Sequence, residues 1–170
     1  MLRSLDGKSP SVHESAFVSE FAYLIGDVEV GELSSIWPGA VVRADGGRIV
    51  IGRRSNVQDN CTVHADADAT IGDDVTIGHG VVCHARSIGN NSLIGNGAVL
   101  NDGVEIGEWC LVAAGSVVPE RVKVPDRSIV RGIPGKVLGQ IFARHTEMIK
   151  YAGDEYVKRV ARYKASGGLE

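Results

Sequence analysis

Aromatic side chains are scarce in this chain: Phe, Trp and Tyr make up 5% of 170 residues, although 44% of the residues are hydrophobic. A core of that composition has to be built from Ile, Val and Ala. Basic runs are absent and the net charge is −3, which argues against nucleic acid as a partner. No apolar stretch approaches the roughly 20 residues of a membrane span, so no membrane segment is expected. Asp6, Lys8 and Pro10 interrupt the stretch after Met1-Leu2-Arg3, which leaves no apolar core for a signal peptide. Cysteine is limited to Cys61, Cys83 and Cys110. All three fall on inward positions of the repeat described next. They read as small core residues in a reducing compartment, with the cytoplasm as the expected location.

What the chain has instead is glycine and a period of six. An aliphatic residue or Cys recurs at Val42, Ile51, Val57, Val63, Ile71, Ile77, Cys83, Ile88, Ile94, Leu100, Ile106, Val112, Val118, Val124 and Val130. Gly follows it at Gly52, Gly72, Gly78, Gly89, Gly95 and Gly107. A small or β-branched residue stands four positions on, as at Ser55, Cys61, Val75, Ser92 and Cys110. A helix cannot use this pattern: a period of six does not return to one helical face, and each Gly costs about 1 kcal/mol relative to Ala. Short β-branched strands with glycine at the corners do fit. Three strands close one triangular coil, and coils stack by parallel pairing at roughly 4.8 Å. The predicted fold is therefore mainly β, a parallel β-helix over residues 1–133 as a single domain. After Ile133-Pro134-Gly135, the residues Val137, Leu138, Ile141, Phe142, Met148 and Ile149 follow helical spacing. One or two helices within residues 134–170 are expected to pack back on the prism, with a charged tail after Lys158. His145 lies on that apolar stripe as a packed or interface residue.

The repeat also fixes where histidines point. Counted in corners, Val42, Val63, Cys83, Leu100 and Val118 share one face in successive coils, so Arg43, His64, His84, Asn101 and Pro119 form a column beside it. From Val42 on, it is the one such column without glycine. His64 and His84 should stack one coil apart, roughly 5 Å between backbones, close enough for both to ligate one zinc ion at about 2.0–2.1 Å. His79 sits on the neighbouring strand, a corner away, above Asp59 and next to Gln58. It points away from the pair in its own chain. A second copy packed side by side would bring its own His79 to them, and three copies would close a ring with three equal sites. The spacing thus suggests a metal site shared at the interfaces of a homotrimer.

The segments Arg43-Ala44-Asp45, Ser55-Asn56-Val57-Gln58-Asp59-Asn60, Val63-His64, Ile77-Gly78-His79-Gly80-Val81-Val82-Cys83-His84 and Leu93-Ile94-Gly95-Asn96-Gly97-Ala98 resemble the γ-class carbonic anhydrase family, over roughly residues 10 to 165. The resemblance implies a left-handed coil, against the usual right-handed crossover preference. It implies metal ligands at His64, His79 and His84, with His79 donated by the adjacent subunit. It further implies catalytic roles for Gln58 beside the reacting water, for Arg43 and Asp45 pairing across the interface, and for Asp59 in the same polar cluster. The expected cofactor is Zn2+, with Fe2+ or Co2+ as alternatives because imidazole suits all three. The expected reaction is reversible hydration of CO2 to bicarbonate. The chain departs from the family's prototype in lacking a glutamate-bearing loop for proton transfer: Gly46-Gly47-Arg48 offers no carboxylate, and Ala65–Ala69 offers only Asp66 and Asp68. Two other classes remain open. One is a hexapeptide acyltransferase or thioesterase acting on a CoA-type substrate, and the other a non-catalytic, metal-stabilised trimeric scaffold.

Overall fold

The six-residue rhythm becomes three faces of very short parallel strands. On the first, Ile36, Val57, Ile77, Ile94, Val112 and Val130 pair in register. On the second, Val42, Val63, Cys83, Leu100 and Val118 do so, and on the third, Ile51, Ile71, Ile88, Ile106 and Val124. The whole is a left-handed parallel β-helix of about seven turns with one C-terminal helix. This computed structural model describes residues 1–166.

The inward aliphatics fill the prism and are buried throughout the stack. Each buried Ile or Val contributes roughly 1.5–3 kcal/mol by leaving water. The small residue of each repeat has a polar duty as well. Ser55 Oγ donates to the Gly72 carbonyl at 2.7 Å and accepts from the Val75 N–H at 2.9 Å, so the corner groups inside the core are paired.

Glycine serves two separate needs. Where glycine follows the inward aliphatic, the next coil passes too close for a side chain. A Cβ on Gly78 would lie 2.9 Å from the Ile94 carbonyl oxygen and 2.4 Å from Asn96 Oδ1. The other need is a left-handed turn residue at each corner. Gly80 meets it with φ +67°, and Asn60, one coil below, meets it with φ +59°.

Past the last coil the structure departs from the helical expectation. Lys136–Gln140 is a strand, antiparallel to Ser128–Arg131, and it leaves Val137 and Leu138 exposed. Gly135 and Gly139 weaken a helix in this stretch by about 1 kcal/mol each. The unpaired edge of Ser128–Arg131 offers backbone hydrogen bonds in its place. The single helix α1 then runs Ala143–Ala165, beyond the point where a charged tail was expected, and residues 167–170 lie outside the described residues. Its buried stripe is Ile149, Gly153, Tyr156 and Val160. Trp37 receives it, with Tyr156 and Tyr163 edge-on at centroid distances of 5.2 and 4.9 Å. An Arg54–Asp154 ion pair at 2.7 Å ties the helix to the prism. His145 does not pack into the core: its Nδ1 accepts the Phe142 N–H at 3.0 Å, beside the helix start. No helix among the described residues is long and apolar enough to cross a membrane.

Candidate metal centre

The long strand Val41–Ile51 turns a corner of the prism and carries Arg43 and Asp45 at its start. Arg43 is the direct strand partner of His64 on Thr62–His64. His84 follows the next strand in the stack, Val82–Cys83. The inward Val42, Val63 and Cys83 therefore hold Arg43, His64 and His84 in an outward ladder, as the repeat predicted.

His64 and His84 meet. Nδ1 of His64 lies 2.8 Å from Nε2 of His84, and the side chains are only 14% and 25% exposed. Nε2 of His64 is hydrogen-bonded to Asp45 Oδ1 at 2.9 Å. Nδ1 of His84 faces Asp102 Oδ1 at 3.3 Å. A carboxylate only accepts, so it favours the tautomer with the proton on the nitrogen beside it. Both far nitrogens then carry protons, and the two facing nitrogens present lone pairs to each other. That arrangement calls for a cation. Ligands held tetrahedrally at about 2.0–2.1 Å from one ion stand roughly 3.3 Å apart, so a shift of a few tenths of an ångström lets both imidazoles bind one metal. A carboxylate oxygen of Asp66 stands near the pair, one nitrogen of each ring and this oxygen lying within 4.8 Å of one another.

His79 lies elsewhere. It follows the strand Thr76–Ile77 on the first face, and its side chain is 50% exposed. Its Nδ1 is 2.9 Å from Asp59 Oδ2, and Nε2 has no hydrogen-bond partner among the described residues. One chain thus brings together two of the three histidines. Gln58 is buried, with its Nε2 donating to Asn56 Oδ1 at 3.0 Å, and it lines a cavity of about 330 Å³ together with His79, Tyr156 and Arg159.

Arg43 donates to Asp45 within the same chain. That guanidinium, more than the His64 contact, holds the Asp45 carboxyl below its usual pKa. Asp68 is occupied as a turn residue, accepting the Arg48 backbone N–H at 2.9 Å. Asp66 remains 77% exposed and 3.9 Å from His64 Nε2. A cavity of about 680 Å³ opens beside His84 and is lined by Asp66, Asp68, Arg86 and Asp102. The buried thiols take no part: burial pushes Cys61 and Cys83 up to about 11, so they stay protonated near neutrality.

Two features were not anticipated. Asp102 stands one residue past Asn101 of the outward column, where the repeat reads as a turn. Its offset from His84, one coil up, was the available signal. Tyr156 and Arg159 wall the His79 cavities from α1, and nothing in the local sequence says where that helix docks.

Known proteins are similar to this chain across most of its length. Residues 87–120 match a family described as bacterial transferase hexapeptide (six repeats). A carbonic anhydrase of Geobacillus kaustophilus is 37% identical over 97% of this chain and 92% of its own length. Gamma carbonic anhydrase 2, mitochondrial, of Arabidopsis thaliana is 35% identical over 92% of this chain, which spans 59% of that relative's length. The carnitine operon protein CaiE of Escherichia coli is 35% identical over 96% of this chain and 84% of its own. Among solved structures, a hexapeptide transferase family protein from Anaplasma phagocytophilum superposes with a TM-score of 0.91. It is 34% identical, over 95% of this chain and 97% of its own.

Proposed function

This chain belongs to the γ-class carbonic anhydrase family, and from that premise we propose that it hydrates CO2 reversibly to bicarbonate at a three-histidine metal centre shared between subunits of a homotrimer. The observation that carries the reading is the His64–His84 pair, whose facing nitrogens stand 2.8 Å apart with a carboxylate behind each ring. Two imidazoles and the exposed carboxylate of Asp66 make an incomplete set for a tight zinc site. The half-exposed His79, backed by Asp59, has the chemistry of the missing ligand and follows a strand on a different face from its own chain's pair. A neighbour of the same sequence therefore supplies it.

His64 and His84 of one subunit and His79 of the next hold the ion, Zn2+ in the first instance, with Fe2+ or Co2+ as the alternatives. When bound, a divalent cation in a neutral three-imidazole set supplies the Lewis acidity that brings the pKa of water to about 7, so that hydroxide can attack CO2 at neutral pH. The chain's own groups do the rest. Asp45 and Asp59 fix the tautomers of His64 and His79. Gln58, held by Asn56 and lining the same cavity as His79, orients the attacking oxygen. Arg43 neutralises Asp45 and adds positive charge where bicarbonate forms. Asp66, exposed beside His64, is the carboxylate best placed to pass a proton to solvent.

The transferase hexapeptide match and the transferase-family structure support a second reading, acyl transfer from a CoA-type donor. The deciding experiment is metal analysis and light scattering on protein purified without chelator, followed by stopped-flow CO2 hydration on the loaded protein. One metal per chain, a trimer and hydration above background are expected. A stable loaded monomer rejects the shared site, because His79 cannot then reach the other two. A loaded trimer without hydration, yet with acyl-CoA turnover, favours the second reading.

A further inference from the structure

Each of the three outward histidines has its own aspartate on one ring nitrogen. Asp45 serves His64 at 2.9 Å, Asp59 serves His79 at 2.9 Å, and Asp102 faces His84 Nδ1 at 3.3 Å. The family resemblance points to the first two aspartates and is silent on the third.

We propose that Asp102 is a positioning residue that holds His84 in the tautomer presenting Nε2 to the metal. The assignment rests on His84 being a ligand, as read above. His84 has no other carboxylate within ion-pair distance among the described residues. Its backbone is already fixed, since the His84 N–H donates to the Leu100 carbonyl at 2.8 Å. What the backbone leaves undecided is which ring nitrogen carries the proton. A carboxylate 3.3 Å from Nδ1 biases the proton to that nitrogen by its charge and leaves the lone pair on Nε2, the atom that meets His64. Asp102 is itself fixed from the coil above: its backbone carbonyl accepts the Arg121 N–H at 2.8 Å, and the adjacent Gly103 makes the left-handed turn at φ +66°. The side chain is half exposed and lines the 680 Å³ cavity beside His84, so it can respond when the ring moves to bind.

The test uses the full chain with Zn2+ and Co2+ as probes. Zn2+ affinity is read by competition with a chromophoric chelator, Co2+ geometry by its visible bands, and fold by the melting temperature of the metal-free protein. Asp102→Ala should weaken Zn2+ binding about 10–100-fold and shift the Co2+ bands, with little change in metal-free melting. Asp102→Asn keeps an acceptor but loses the charge, and should fall between Ala and the parent. Parent-like affinity and spectrum in Asp102→Ala overturn the assignment. So does an equal loss in both variants that tracks a lower melting temperature, which marks Asp102 as a turn residue only. Failure of the underlying reading looks different: His84→Ala then keeps its metal, or the parent takes none, and the Asp102 assignment falls with it.

Discussion

His64 and His84 stand on consecutive coils with ring centroids 4.8 Å apart, the same spacing that separates neighbouring parallel strands. The separation of the two imidazoles is therefore set by backbone pairing, and the side chains need only point outward. A metal placed there inherits its geometry from the coil stack.

His64→Ala, His79→Ala and His84→Ala should each abolish stoichiometric metal binding, because two remaining imidazoles are too few for a tight site. Elemental analysis of the purified variants checks this. Asp66→Ala should retain the metal. If Asp66→Ala loses it while His79→Ala keeps it, the site lies within one chain and the shared arrangement is wrong.

Hydration should be limited by proton release. Asp68 is tied to the Arg48 backbone and Asp66 is the exposed carboxylate near His64, so no glutamate relay is in place. Positioned proton transfer contributes about 10²–10⁴-fold. The stopped-flow rate should accordingly rise with buffer concentration in the parent. Asp66→Ala should make that dependence steeper, and a rate flat in buffer for both would refute the limit. Gln58→Ala should cost roughly 10²-fold in kcat, as loss of a preorganised polar group does, with metal content unchanged.

Alkaline stability follows from the thiols. Burial, the largest cause, raises Cys61 and Cys83 from 9.0 to about 11 and raises Cys110 as well. The unfolded chain loses these protons before the folded chain does, so the folded state binds more protons between the two values. Their contribution is complete below about pH 9 and is lost as pH rises through about 11. Urea unfolding at pH 7, 9 and 10.5 should show a fall that is shallower in a Cys61→Ala, Cys83→Ala double variant. Equal slopes would discount the thiols.

Glycines two residues apart should tolerate alanine differently. Gly80→Ala meets nothing within 4 Å and costs only the left-handed penalty of about 1–2 kcal/mol. Gly78→Ala drives a Cβ to 2.9 Å from the Ile94 carbonyl oxygen, with backbone on the other side of the clash. It should cost more, of the order of the 1–3 kcal/mol of overpacking or above, and lower the melting temperature further. The opposite ranking would contradict the tight coil stacking.

The body of the fold was legible because its code is short. A buried residue every six positions, as at Ile88, Ile94 and Leu100, specifies both strand and face, and the odd steps are absorbed in loops such as Ala65–Ala69 without disturbing the column. The His64–His84 contact followed from the same register. Val137 and Leu138 are ambiguous because two adjacent apolar residues in a five-residue stretch satisfy helical and strand periods alike. Only the open edge of Ser128–Arg131 decides between them. The carboxylates behind the rings were legible in part. Asp59 lies directly beneath His79 in the stack, whereas Asp102 acts from a turn whose side-chain direction the repeat leaves free. Tyr156 and Arg159 depend on where α1 lands, and that is settled by Trp37 and Tyr163 across the whole length of the chain.

The antiparallel strand Lys136–Gln140 has a significance beyond its few hydrogen bonds. In a parallel stack every coil is a template for the next, and a bare final coil would accept the first coil of another molecule as readily as its own continuation. By reversing direction, this strand makes the last rung a poor template. It acts as a chain terminator, fixing the number of rungs and holding the protein to a finite object where its repeat alone would permit a fibre.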